Sequence, residues 1–323
     1  MRKKVPVLTD PSQVNFFVKK LNNEASLDVI DELTDNQYSR NSMLGILSDW
    51  NRYLAFCLKH HINTLPASVT AIRRFLETEA RERKFSSLKR YTATLSLLHT
   101  ILGFPNPIKH KQVRFTLVQL QISKSGDAKQ TNAMTYHHLN QLNNNLAKSN
   151  APLKDIRDVS IYNVMFECAL KRSELKNLKA SHISARDNGI CVHVADSTYQ
   201  LSEVASGHLQ RWIEMSEPFD EQPLFRSIDR HGHIHNQPLD DSSIYRIVRR
   251  ASDLLGLTGS LSFSGNSIRV GATQELAKQG MAIRDIQDFG RWMSPVMPAQ
   301  YLGQLAKSEE GKIVFKEIIP WQS

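Results

Sequence analysis

The segment Ser264-Gly265-Asn266-Ser267-Ile268-Arg269-Val270-Gly271-Ala272, followed by Gly290-Arg291-Trp292 and Tyr301, brings an arginine, an indole N–H and a phenol into one C-terminal stretch. The planar fork of Arg269 suits two-point binding of a phosphate. Trp292 supplies one N–H donor, and Tyr301 stands nine residues after it. Asn266, three residues before Arg269, can hydrogen-bond a phosphate. Its amide has no pKa near neutrality, so it cannot act as a general base.

Charge adds a polyanion to this picture. The chain has 323 residues and a formal net charge of +9. Residues 1–126 hold 19 Lys and Arg against 10 Asp and Glu, whereas residues 127–323 hold 22 of each. The excess is concentrated at Arg73, Arg74, Arg81, Arg83, Lys84, Lys89 and Arg90, then at Lys109, Lys111 and Arg114. A one-sided basic surface attracts a polyanion and makes its binding depend on salt.

The elements that must carry these residues are mostly helices. Leu44, Leu47, Trp50, Tyr53, Leu54, Cys57 and Leu58 recur at helical spacing. Ser68 can cap a helix through Ile72, Phe75 and Leu76, and Ser86 or Ser87 can cap the next, with Leu88, Tyr91, Leu95, Leu98 and Leu102 on one face. Gly103-Phe104-Pro105-Asn106-Pro107 ends that helix, and Val113, Leu117, Leu120 and Ile122 suggest one more. Three or four helices and no strand are expected over residues 12–122. Residues 123–132 are polar and aperiodic and read as a linker. Beyond it, Tyr136–Ala147, Ile156–Leu170, His208–Met215, Ser242–Leu255, Ser267–Gln279 and Ile283–Phe289 read as helices. Gly189–Val194 reads as a strand, with Tyr199–Val204 as its hairpin partner. The expected fold is mainly α, with an N-terminal helical domain over residues 1–122 and a mixed α+β domain over residues 133–323. In the second domain Arg246, Arg249 and Arg250 fall on one helix face, suited to the major groove or to phosphates. Lys89 and Arg90 are similar DNA-binding candidates in the first.

The order and spacing of these pieces resemble the tyrosine recombinase, or phage integrase, family. The resemblance also runs through Ser48-Asp49-Trp50 and Leu98-His99…Gly103-Phe104-Pro105, and covers nearly the whole chain from about residue 40. It implies a helical core-binding (SAM-like) domain, a catalytic-type domain and double-stranded DNA as partner. It also implies assembly of protomers through a C-terminal docking helix, here the apolar stretch Ile313–Trp321. By the same resemblance Tyr301 is the nucleophile that joins a DNA 3′ phosphate. Arg269 is the second phosphate-binding arginine and Trp292 the indole donor.

Three positions depart from the family pattern. Lys171, three residues before Glu174, stands where the first arginine is expected, and lysine lacks the fork. Arg172 is adjacent, but consecutive helical residues point about 100° apart. Asn266 stands in the histidine's place and Thr198 in the place of a hairpin lysine, and no lysine occurs between Lys179 and Lys278. The reading is a sequence-specific DNA-binding protein with impaired strand exchange. Its alternative is a working recombinase that uses Tyr301.

The family chemistry needs no metal or cofactor, and none is expected. Cys57, Cys168 and Cys191 show no metal-ligand spacing and read as buried thiols. Residues 5–10 are too short and broken for a signal peptide's apolar region, and no run suits a membrane span. A cytoplasmic, nucleoid-associated protein is expected.

Overall fold

A computed structural model describes residues 5–23, 25–124, 131–186 and 189–303. The apolar periodicity of the N-terminal part folds as six helices rather than three or four: α1 Pro11–Asn23, α2 Leu27–Leu33, α3 Arg40–Lys59, α4 Val69–Glu79, α5 Phe85–Ile101 and α6 Lys111–Ser123. No strand occurs among the described residues here. The additional helices are α1 and α2, and Ser26 and Ser39 cap α2 and α3 by accepting from the backbone amides of Val29 and Ser42. Ser68 caps α4 in the same way through Ala71. The capping expected of Ser86 or Ser87 is not found. α5 begins earlier, after Lys84, and no side chain caps it.

The core of this unit is aromatic. Trp50, Tyr53, Phe75 and Tyr91 are buried together, and the Trp50 indole donates to the Leu21 carbonyl at 2.7 Å. Leu44 and Leu58 point outward, and Ile46 and Phe56 are buried instead. The aromatic side chains set the rotation of α3, because burying a large ring outweighs burying a leucine. The pieces that carried the family resemblance here are structural. Asp49 is buried, accepting from Arg90 Nε and NH2 and from Thr94 Oγ1. His99 donates from Nδ1 to Leu95 O and accepts the Ala67 amide at Nε2. Burial lowers its pKa, which keeps the ring neutral for both bonds.

The chain divides into two compact units between residues 129 and 130. Ser123, expected in a linker, is the last residue of α6, and residues 125–130 lie outside the described ones. The second unit contains α7 Tyr136–Leu146, α8 Leu153–Glu167, α9 Arg172–Lys176, β1 Ile183–Arg186, β2 Gly189–Val194, β3 Ser197–Gln200, α10 Glu203–Ser216, β4 Arg226–Ile228, β5 Ile234–Pro238, α11 Asp241–Leu254, α12 Ser267–Lys278, α13 Ile283–Phe289 and α14 Val296–Tyr301. β1, β2 and β3 form an antiparallel sheet, and β4 pairs with β5. The expected hairpin partner of β2 ends at Gln200. Ser202 then caps α10, which takes Val204. A capping serine followed by Glu203 is a stronger helix signal than the valine is a strand signal.

α8 is buried at every position from Ile156 to Phe166, with α7, α10 and α12 against it. Its polar groups are satisfied. Tyr162 donates to Ile247 O at 2.8 Å, and Asn143 pairs with Asn163. Asp158 is fully buried between Arg157 and Arg250. Cys57, Cys168 and Cys191 are buried free thiols. Among the described residues no helix is long and apolar enough to cross a membrane.

α12 carries Arg269, and its placement depends on a close backbone approach. The Met134 amide donates to Ser267 O at 2.9 Å. A methyl group on Gly271 would meet the Met134 carbonyl oxygen at 1.7 Å. Backbone on both sides leaves no side chain to yield. Gly271→Ala is therefore expected to destabilise the protein by at least ~2 kcal/mol, from overpacking. A urea titration of the full chain checks this, and an unchanged midpoint would contradict it.

Candidate active site

Three side chains from separate elements meet around Arg269. Its guanidinium is buried, and its carbon lies 3.7 Å from the centre of the Trp292 ring. NH1 donates to Ala169 O, at the turn between α8 and α9, and NH2 donates to Gly290 O. Trp292 in turn meets Tyr301 edge-on, with ring centres 6.2 Å apart. Gln274 of α12 donates to the Tyr301 carbonyl, tying the end of α14 to the helix of Arg269. Arg269 thus lies on the face of Trp292, and Trp292 meets Tyr301 at an edge.

The sequence stretch Gly290-Arg291-Trp292 shapes this cluster twice over. A methyl group on Gly290 would fall 1.6 Å from the Trp292 ring, so only glycine lets the indole fold back there. Arg291 has φ 55°, a left-handed conformation unfavourable by about 1 kcal/mol or more for a residue with Cβ. Its side chain supplies the compensation. Nε and NH2 grip both oxygens of Glu174, at 3.1 and 2.8 Å. NH1 donates to Phe289 O and the Tyr199 hydroxyl, and NH2 to Cys168 O. Ala169, with φ 44°, turns the chain so that its carbonyl faces both arginines. Arg291, Tyr199 and Glu174 were not read from sequence as the frame of the site. The one signal was that Arg291 lies inside the quoted stretch.

Glu174 is the acceptor for this frame. It also takes the Lys171 backbone amide at 2.7 Å, lies 3.2 Å from Lys171 Nζ and lies 3.8 Å from Arg269 NH1. Burial alone would raise its pKa, but the Arg291 hydrogen bond, the Lys171 amide and the surrounding positive charge hold it down at about 2. Removal from water pulls Arg269 down to about 10 against the opposing pull of Glu174, so it stays charged at neutral pH. Burial raises the Tyr301 phenol, and Arg269 works against that rise. The cluster holds more positive than negative charge and is therefore suited to an anion.

The remaining site candidates have different surroundings. Lys171 precedes α9, and its Nζ donates to Arg291 O at 3.2 Å as well as pairing with Glu174. Asn266 is exposed at the start of α12, and its side chain makes no capping bond. Thr198 is exposed on β3 opposite His193, whose Nδ1 lies 3.0 Å from the Thr198 hydroxyl. On α11 the expected arginine face is split. Arg246 is exposed, Arg249 reaches Phe263 O, and Arg250 turns inward to Asp155 and Asp158. Helical spacing placed Arg250 on the shared face, but the two carboxylates of α8 are spatial neighbours that spacing along α11 does not reveal. In the first unit Lys89 is exposed, and Arg90 is held by buried Asp49. Residues 304–323, including the expected docking helix, lie outside the described ones.

Linkage gives this ion-pair frame a pH signature. A carboxyl with a depressed folded pKa adds stability above its unfolded value, near 4.5 for Glu174, and loses it as pH falls towards about 2. Glu174→Gln should lower stability at pH 7 by ~3 kcal/mol. The difference from the parent should shrink below pH 4.5 and vanish near pH 2. Denaturant titrations across that range are the check; a pH-independent difference would refute the assignment.

Residues 132–307 match the model of the phage integrase family. The chain is 23% identical to recombinase Cre of Escherichia phage P1, over 92% of this chain and 94% of Cre. It is 24% identical to an integrase/recombinase XerD homolog of Selenomonas ruminantium, over 82% of each. The fold is similar to that of XerH site-specific recombinase bound to a palindromic difH substrate, with a TM-score of 0.63 and 12% identity, over 97% of this chain and 92% of XerH.

Proposed function

This chain belongs to the phage integrase family, and on that premise we propose that it is a sequence-specific duplex-DNA-binding protein with impaired strand exchange. The observation that carries the reading is the stacked cluster of Arg269, Trp292 and Tyr301 inside a pocket of net positive charge. Arg269 and the Trp292 indole hold the oxygens of one backbone phosphate. The Tyr301 oxygen is placed to attack phosphorus, forming a 3′-phosphotyrosyl bond and releasing a 5′ oxygen that must gain a proton. Attack by a 5′ hydroxyl of another strand reverses the step and completes exchange.

Proton transfer is where the chain is weak. Thr198 and Asn266 have no proton to exchange near neutrality, and a missing acid or base costs ~10²–10⁴ in rate. Burial raises the Tyr301 pKa, so the phenol depends on Arg269 to lose its proton. The second reading, a working recombinase, is favoured by the ordered cluster itself. In either reading the protein acts as a regulator or recombinase on the nucleoid. Ile313–Trp321 joins neighbouring protomers, since so apolar a segment needs a surface to cover.

A duplex selected by the protein from a random pool, then nicked to trap cleavage, tests both readings. We expect a slow covalent adduct that Tyr301→Phe abolishes without loss of binding. Thr198→Lys with Asn266→His should speed it by at least ~10²-fold. Equal rates with and without those two changes would overturn the impaired reading in favour of the working enzyme. On the same duplex, Arg246→Ala should weaken binding and reduce the salt slope by ~1. An unchanged slope would remove Arg246 from the interface.

A further inference from the structure

Among the described residues, Arg172 at the start of α9 carries a charged group that the fold leaves unused. Lys171 Nζ is taken by Glu174 and by Arg291 O. Arg291 is taken by Glu174, Tyr199 and three carbonyls. Arg269 is held by Ala169 O and Gly290 O. Arg172 is partly exposed, and its guanidinium has no hydrogen bond or ion pair among the described residues. A guanidinium without an acceptor in the protein keeps its N–H donors for a ligand.

A second observation gives the neighbour of this group. Arg172 lies on Gly265: a methyl group there would fall 2.9 Å from its Nε and 3.1 Å from its Cζ. A side chain at 265 would therefore push the flexible Arg172 side chain aside rather than meet backbone. The next residue is Asn266, exposed, with an uncommitted amide. Two free sets of N–H donors therefore flank Gly265, four residues before Arg269 on the same strand of chain.

We infer that Arg172, rather than Lys171, is the second guanidinium that grips the scissile phosphate, with the amide of Asn266 beside it. The inference rests on the phosphate pocket proposed above. Lys171 precedes α9 in an extended conformation, and Arg172 opens the helix. The fork is moved from the Glu174 side of the helix start to the Gly265 side, and Lys171 remains as a strut on Glu174. The binding group displaced at position 171 reappears at position 172, so the loss of the arginine there is smaller than the sequence pattern implies.

Inorganic phosphate is the probe. The Trp292 indole 15N–1H resonance, identified by its absence in Trp292→Phe, is followed as phosphate is added to the full chain. We expect a saturable shift in the parent and at least a ~10-fold weaker Kd in Arg172→Ala, the cost of a lost charge-assisted bond. Arg172→Lys should bind several-fold more weakly than the parent, and Lys171→Ala within ~3-fold of it. Gly265→Ala, which displaces the guanidinium and keeps its charge, should follow Arg172→Ala. Parent-like binding by Arg172→Ala, with a loss in Lys171→Ala, would overturn the inference and leave the pocket standing. No saturable shift in the parent would overturn the pocket, and the inference with it.

Discussion

One carboxylate holds the second unit's site together. Glu174 sits between the guanidiniums of Arg291 and Arg269 and the backbone of Lys171. Two largely buried guanidiniums this close would repel and would each lose hydration, and a single acceptor makes the arrangement tolerable. From that pairing follow the left-handed turn at Arg291, the return of Trp292 over Gly290 and the stacking of Trp292 on Arg269. Tyr301 is then placed by Trp292 and by the Gln274 bond to its carbonyl. Tyr301 is three contacts removed from Glu174, yet its position depends on it.

The same pairing shapes the electrostatics. Glu174 neutralises part of the positive charge and holds it in place, but does not cancel it. Fixed donors around a low-dielectric pocket stabilise a phosphate with little reorganisation. Binding power and proton-transfer power are separable here. The cluster supplies several N–H donors, whereas Thr198 and Asn266 carry no group that titrates near neutrality.

Much of the fold was legible because helical periodicity is local. The limits of α11, α12 and α13 follow the sequence closely, and Ser68 announces α4. Where sequence reasoning missed, the deciding partner lay far along the chain. Arg250 reads as a surface cation until Asp155 and Asp158 are seen beneath it. Arg90 reads as free until Asp49 is found 2.7 Å away. β1, β4 and β5 escaped notice because short strands carry little alternation.

The sequence by itself determined which side chains could touch a phosphate. Arg269, Trp292 and Tyr301 are fixed by type and spacing, and the departures at Lys171, Thr198 and Asn266 are visible in the letters alone. It also determined the excess positive charge of the N-terminal third. Only the tertiary structure decided which cations are satisfied within the protein. Arg291, Arg250 and Lys171 are satisfied by groups brought from other elements, while Arg172 has no such partner among the described residues. The reason is physical: charge is a property of a residue, but its satisfaction depends on acceptors that only folding brings within hydrogen-bond reach.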